Sequence, residues 1–213
     1  MTTKLGLYNG ALRLCKERKL ASLAENREPR RLLDDAWGDG ATNGTVKRCL
    51  QMGQWTFAMR TIMLDYSPSV EPDFGYRRAF DQPEDMVRVS AVCEDEYFEK
   101  PLTRYADERH FWFADLDTIY VRYVSNDASY GADLSLWPES FAKLVEADLA
   151  QEVVGSLTGA DSQAIALAFK TAKSDAKSLD AGNKPTVFLP EGSWASARRG
   201  GYRGPRIGNR LIG

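Results

Sequence analysis

Close pairs of carboxylates are the first chemistry this sequence offers. Asp115 and Asp117 alternate along the chain, and Asp34 and Asp35 are adjacent. Glycoside hydrolysis uses such pairs, one group as acid and the other as base or nucleophile. Acid pairs are also ordinary in turns and on solvated helix faces, and these fit that description equally well. The single histidine, His110, stands between Arg109 and Phe111 at the edge of an expected strand. A histidine-based triad would need it, and a metal site of several histidines is impossible; it reads as a surface or partly packed residue. Cys15, Cys49 and Cys93 are odd in number, far apart and form no CxxC pair. They suit no closed disulfide framework. They read as buried thiols of a protein assembled in a reducing cytosol, Cys93 as filler in a strand.

Phosphate and metal motifs are missing. Gly38, Gly40 and Gly44 do not have GxGxxG spacing, and there is no GxxxxGK. Asp35, Trp37, Asp39 and Gly40 begin like a calcium loop, but Val46 stands where the twelfth-position Glu belongs. We expect no catalytic residues, no cofactor and no metal. The enzymatic alternative is an enzyme of unknown class, for example a carboxylate hydrolase using Asp115 or Asp117.

Charge is placed unevenly. The segment from Gly192 to Gly213 holds Arg198, Arg199, Arg203, Arg206 and Arg210 and no acid. Residues 1–191 are left with thirty acids against twenty-three bases, a formal −7, although the whole chain is only −2. Trp194 and Tyr202 lie among the arginines, and the segment ends on Leu211-Ile212. An acidic body with a cationic, glycine-rich, aromatic-bearing end points to a docking arm for protein or nucleic acid rather than to a plain solubilising tail.

The elements that would position these residues follow from periodicity. Leu5, Tyr8, Ala11, Leu12 and Cys15 share a helical face over residues 4–16, with Lys16, Arg18 and Lys19 crowding the end. Pro29 suits a first helical turn, and Leu32, Leu33, Ala36 and Trp37 continue its apolar face to the break at Gly38-Asp39-Gly40. A third helical piece spans about Thr42 to Gly53, and Gln54–Leu64 turns extended. The middle reads as β: Met86–Val92, Phe111–Ala114 and Thr118–Val124, with Leu116-Asp117 as a turn between the last two. The final third returns to helix. One helix starts at Trp137-Pro138-Glu139 and stops at Thr158-Gly159. A second starts at the N-cap Asp161 and carries Ile165, Ala168, Phe169, Ala172, Ala176 and Leu179. A short turn makes the two antiparallel neighbours. Thr186–Leu189 reads as a short strand or extended strap. Trp37, Trp55, Trp112 and Trp137 read as core anchors.

The expected fold is therefore α+β: N-terminal helices (residues 4–53), a small central antiparallel β-domain (about 54–125), and a C-terminal antiparallel helix pair (138–182). The body takes residues 1–190, and an extended basic tail takes 191–213. Loops at Gly38–Gly44 and Ser67–Phe74 are candidate interface fingers. The mean hydropathy is −0.42, and no apolar run is long enough to span a membrane.

Several stretches together resemble a known family. They are Asn9-Gly10-Ala11-Leu12-Arg13-Leu14 in the first helix, and Val46–Arg60, a Leu-bearing helix leading into Trp55-Thr56-Phe57-Ala58. Further along come Phe74–Val89, an aromatic segment, turn and strand; Val121-Arg122-Tyr123-Val124; Trp137-Pro138-Glu139-Ser140-Phe141; and Leu157-Thr158-Gly159 in the helix pair. Their order across roughly residues 5–182 is similar to that of the head-to-tail adaptors of tailed phages, called tail tubular protein A in short-tailed phages. The C-terminal tail is less well matched.

The resemblance implies a non-enzymatic virion protein of the neck or tail, assembled in the host cytoplasm. Such connectors form a homo-oligomeric ring, usually a dodecamer, beneath the portal protein, and the tail tube or nozzle docks on the other side. Genomic DNA passes through the lumen at ejection without sequence-specific binding. On this reading Trp194, Arg198, Arg199, Tyr202, Arg203, Arg206 and Arg210 form the portal-binding tail. The main alternative is a nucleic-acid-binding module that uses the same arginines on phosphate, with strong salt dependence. A tail-completion or neck protein one position further down shares most of the argument.

Overall fold

The computed structural model describes residues 2–39, 41, 43–157 and 161–184. The chain forms one compact unit over Met1–Asn183. The fold is α+β, with five helices and two small antiparallel sheets among the described residues. Helices, strands and again helices follow one another in the order expected: α1 (Lys4–Leu14), α2 (Glu28–Trp37), α3 (Thr45–Gln51), β1 (Met59–Asp65), β2 (Arg78–Asp81), β3 (Met86–Cys93), β4 (Ala106–Glu108), β5 (Phe111–Ala114), β6 (Thr118–Ser125), α4 (Glu139–Val153) and α5 (Ser162–Gly182).

Local chemistry sets the helix ends. The Thr3 hydroxyl caps α1 by accepting the Gly6 N–H at 3.1 Å. α1 ends in a Schellman turn: Glu17 N–H donates to the Leu12 carbonyl, and Lys16 takes the left-handed position at φ 59°. Pro29 lies in the first turn of α2, and Gly38 ends that helix at φ 60°. Asp161 caps α5 as expected, its carboxylate accepting the Gln163 and Ala164 N–H groups.

The helices enclose one apolar cluster, centred on Leu7, Tyr8, Leu12, Leu33, Leu50, Trp55, Phe141, Leu144 and Leu149. α4 is its axis and packs on α1, α2, α3 and α5. The α1 face is turned slightly from expectation. Tyr8, Ala11, Leu12 and Cys15 are buried as expected, Leu7 joins them, and Leu5 is only partly covered. α4 and α5 run antiparallel. Asp180, late in α5, bonds to the Thr56 N–H and hydroxyl, and Trp55 and Phe57 on either side pack on Phe141, early in α4. Only Ile165 and Ala176 of α5 are fully buried. Leu179 is exposed because it lies about 60° round the helix from Ala176.

The expected single β-domain is two three-stranded sheets, ordered β1-β6-β3 and β2-β5-β4. β5 and β6 are consecutive but do not pair; residues 115–117 carry the chain from one sheet to the other. β6 is central in its sheet, with Met59 opposite Val124 and Asp65 opposite Thr118 on one side and β3 on the other. A second cluster, Phe80, Val92, Trp112, Ile119, Val121 and Tyr123, fills the space these strands enclose. Trp55 to Met59 is not simply extended: one 3-10 turn, Thr56–Ala58, precedes β1.

The expected strap at Thr186–Leu189, the helix stop at Thr158-Gly159 and the basic tail lie outside the described residues. Among the described residues no helix is long and apolar enough to cross a membrane.

Candidate interaction surfaces and internal polar sites

The residues that carry the resemblance meet in space. The Phe141 ring receives Trp55, Phe57 and Trp137 edge-on, with centroids 5.0, 4.8 and 4.9 Å away. Edge-to-face contacts of this kind add to area burial. The stretches around 55–58 and 137–141 are therefore two halves of one aromatic knot at the joint between helices and strands. Two indole N–H groups are satisfied by carbonyls there, Trp55 by Cys49 at 3.0 Å and Trp137 by Gly131 at 2.9 Å. Asn9 and Gly10 also have definite tasks. The Asn9 amide grips both the N–H and the carbonyl of Leu20, and Gly10 lets the Glu146 carboxylate lie against α1.

One buried acid and one half-buried acid organise the body. Asp148 on α4 accepts two hydrogen bonds from Arg48 of α3, at 2.7 and 3.0 Å, while Glu152 takes Arg48 from the other side at 3.0 Å. Burial pushes the Asp148 carboxyl up, and Arg48 only partly offsets it. Asp85, just before β3, accepts from the Tyr123 hydroxyl, the Ser125 hydroxyl and the Arg60 guanidinium. Burial works to raise this carboxyl, but the three donors outweigh it and hold it below the usual carboxylate range. Sequence reasoning gave Asp85 no role, because its donors come from β1 and β6, far away in the chain.

The acids singled out for catalysis are otherwise engaged. Asp34 accepts from the Tyr8 hydroxyl at 2.8 Å and pairs with Arg30 and Lys4. Asp115 takes the Arg77 N–H and an ion pair with Arg104; Asp117 pairs with Arg78 at 2.8 Å. Asp34, Asp115 and Asp117 are each tied into a structural contact. His110 is exposed at the tip of the β4–β5 hairpin. All three cysteines are free and buried. Burial pushes the Cys49 thiol far up, which disfavours the thiolate. Trp37, Trp55, Trp112 and Trp137 are all buried, as expected. Among the described residues no group of three or more His, Cys, Asp and Glu is placed to hold a metal ion.

What the surface does offer is apolar. Phe74 is 88% exposed, Tyr97 76% and Leu167 65%. Phe74 stands on the Ser67–Phe74 loop expected to be a finger, beside a groove of ≈ 580 Å³ floored by Phe111 and Phe113. A second groove of ≈ 610 Å³ runs between α4 and α5, lined by Ala164, Leu167, Ala168 and Leu179. The α4–α5 groove is mostly apolar, whereas the one beside Phe74 also carries Glu71, Asp73, Glu108 and Arg109; exposed large apolar side chains at such grooves mark association surfaces. The other expected finger behaves differently. Gly44 packs against the Trp37 carbonyl, and the Asn126 amide holds the Ala41 carbonyl, so its described residues fold back on the body. Trp194, Arg198, Arg199, Tyr202, Arg203, Arg206 and Arg210 lie outside the described residues.

The fold and these surfaces define an α+β protein with an aromatic joint between helices and sheets. No protein-family model matches the chain, and no curated protein matches it.

Proposed function

We propose that this chain is a structural protein of a phage virion, a head-to-tail adaptor that forms a ring between portal and tail tube or nozzle. The observation that carries the reading is the aromatic knot. The stretches quoted for the resemblance, Trp55-Thr56-Phe57-Ala58 and Trp137-Pro138-Glu139-Ser140-Phe141, are far apart in sequence yet build one joint. A joint of packed aromatic rings suits a part that works by shape.

A ring closes by repeating one heterologous contact, so each copy needs two different complementary faces. The exposed loops of the β-sheets and the exposed flank of α5 supply rigid candidates. Genomic DNA must slide through the lumen. A cationic lumen would hold DNA by neutralising phosphate and releasing counterions, whereas a −7 body binds it weakly. The +5 tail then reaches the portal, its arginines pairing with portal carboxylates while Trp194 and Tyr202 fill apolar clefts.

The test is electron-microscope imaging of the purified chain with and without its portal. Rings seated on the portal are expected. Truncation after Pro190 should abolish seating and leave the melting of the body unchanged. A chain that never seats on the portal, but binds duplex DNA with a steep salt dependence, would replace this reading with the nucleic-acid one.

A further inference from the structure

Two surfaces of the body are complementary in charge and in apolar character. The first is the loop between β3 and β4. Its tip is built rigidly: the Asp95 carboxylate accepts the Glu99 and Lys100 N–H groups at 3.1 and 2.7 Å, and a bridge between Cys93 and Pro101 closes the base. Phe98 is held in the left-handed region at φ 60°, a costly place for an aromatic residue, with the Arg122 guanidinium 4.3 Å from its ring. This framework presents Tyr97 to solvent, flanked by Glu94, Glu96 and Glu99. Those three side chains form no ion pair among the described residues. A loop whose backbone is already ordered has less freedom to lose when it binds.

The second surface is one flank of α5. Lys170, Lys173 and Lys177 recur there at helical spacing, and the largely exposed Leu167, three residues before Lys170, stands at the edge between this flank and the α4–α5 groove. None of the three lysines has an ion pair among the described residues. Lys173 lies 5.9 Å from the Phe169 ring. Of the acids on α5, Asp180 is committed to Thr56, and Asp175 lies on the opposite side, in the groove facing α4. This cationic strip belongs to a body that is otherwise acidic.

We propose that in the assembled ring the Tyr97 loop of one copy docks on the lysine flank of α5 of the adjacent copy. Tyr97 lies over Leu167 and the lysine stems, and Glu94, Glu96 and Glu99 meet Lys170, Lys173 and Lys177. The contact is head-to-tail, since loop and flank are different surfaces, and it repeats round a closed ring. The inference rests on the ring reading and adds to it which faces touch.

Charge exchange tests it with the full-length chain. One variant carries Glu96→Lys and Glu99→Lys; the other carries Lys170→Glu and Lys177→Glu. All four positions are exposed, and unchanged melting curves confirm that both variants fold. By sedimentation velocity each variant alone should associate at least about tenfold more weakly than wild type, because like charges then face each other. Mixed in equal amounts they should recover wild-type association, since every contact in an alternating ring is again between opposite charges. Tyr97→Ala should weaken association without this recovery. Wild type that associates while the variants behave like it, or a mixture that fails to recover, overturns the contact and leaves the ring reading standing. Wild type that stays monomeric at every concentration, with and without portal, overturns both.

Discussion

The carboxyl group of Glu146 on α4 occupies the space that a Cβ on residue 10 would fill, so α1 and α4 approach closely only because Gly10 has no side chain. An alanine there must push the helices apart or turn Glu146 out. Overpacking of this kind costs about 1–3 kcal/mol. Gly10→Ala should lower the urea midpoint accordingly, and Glu146→Ala in the same chain should recover most of the loss. Independent, additive effects in the double variant would show that the two positions do not touch.

Glu146 also gives the fold a pH dependence of definite sign. Burial raises its carboxyl above the usual glutamate range, and Arg13 at 3.5 Å only partly offsets that. A raised value means that the folded state holds the proton more tightly than the unfolded state. Its favourable contribution is complete below the unfolded value and is lost as pH rises through the folded one. Glu146→Gln should therefore stabilise the protein more at pH 7 than at pH 4, as measured by urea unfolding of both proteins at each pH. The reverse ordering would mean that the pair with Arg13 dominates.

Asp85 has the opposite sign. Its folded carboxyl is held low, so the stability it brings is present above the ordinary aspartate value and fades on acidification through the lowered one. Removing the acceptor also strands partly buried donors on β1 and β6. Asp85→Asn should cost about 1–3 kcal/mol at neutral pH, with a smaller difference from wild type at pH 3. Tyr123→Phe removes one donor and should cost less, since Ser125 and Arg60 still hold the carboxylate.

These residues show where the sequence is informative. The helices were legible because each shows its apolar period and its stop signals together: Pro29 and Gly38 bracket α2, and Asp161 caps α5. The strands β3, β5 and β6 were legible from their β-branched and aromatic runs. β2 and β4, of four and three residues, are too short to show a period, so the second sheet was missed and β5 was paired with the wrong neighbour. Asp85 and Glu146 were invisible as sites because their partners are 25 to 136 residues away in the chain. Tyr97 was hidden in an acidic stretch that reads as a solvated loop. Only the folded backbone shows that Asp95 turns inward and leaves Tyr97 outside.

The β4–β5 hairpin sets a last test of what the side chains are for. Glu108 pairs with Phe111, so Arg109 and His110 alone make the turn, at φ 48° and 70°. Two-residue turns with both φ values positive favour Asn-Gly, since Gly has no Cβ to strain and Asn tolerates this region best among the others. Neither Arg109 nor His110 forms a side-chain hydrogen bond or ion pair among the described residues, so the fold gains nothing visible in exchange for the strain. Replacing them with Asn-Gly should raise stability by about 1–3 kcal/mol, the range for relieving such backbone strain, read as a higher melting temperature. An unchanged or lowered melting temperature would mean that the two side chains contribute to the folded state after all. A stabilised variant that assembles on the portal as wild type does would mean that the tip has no part in assembly.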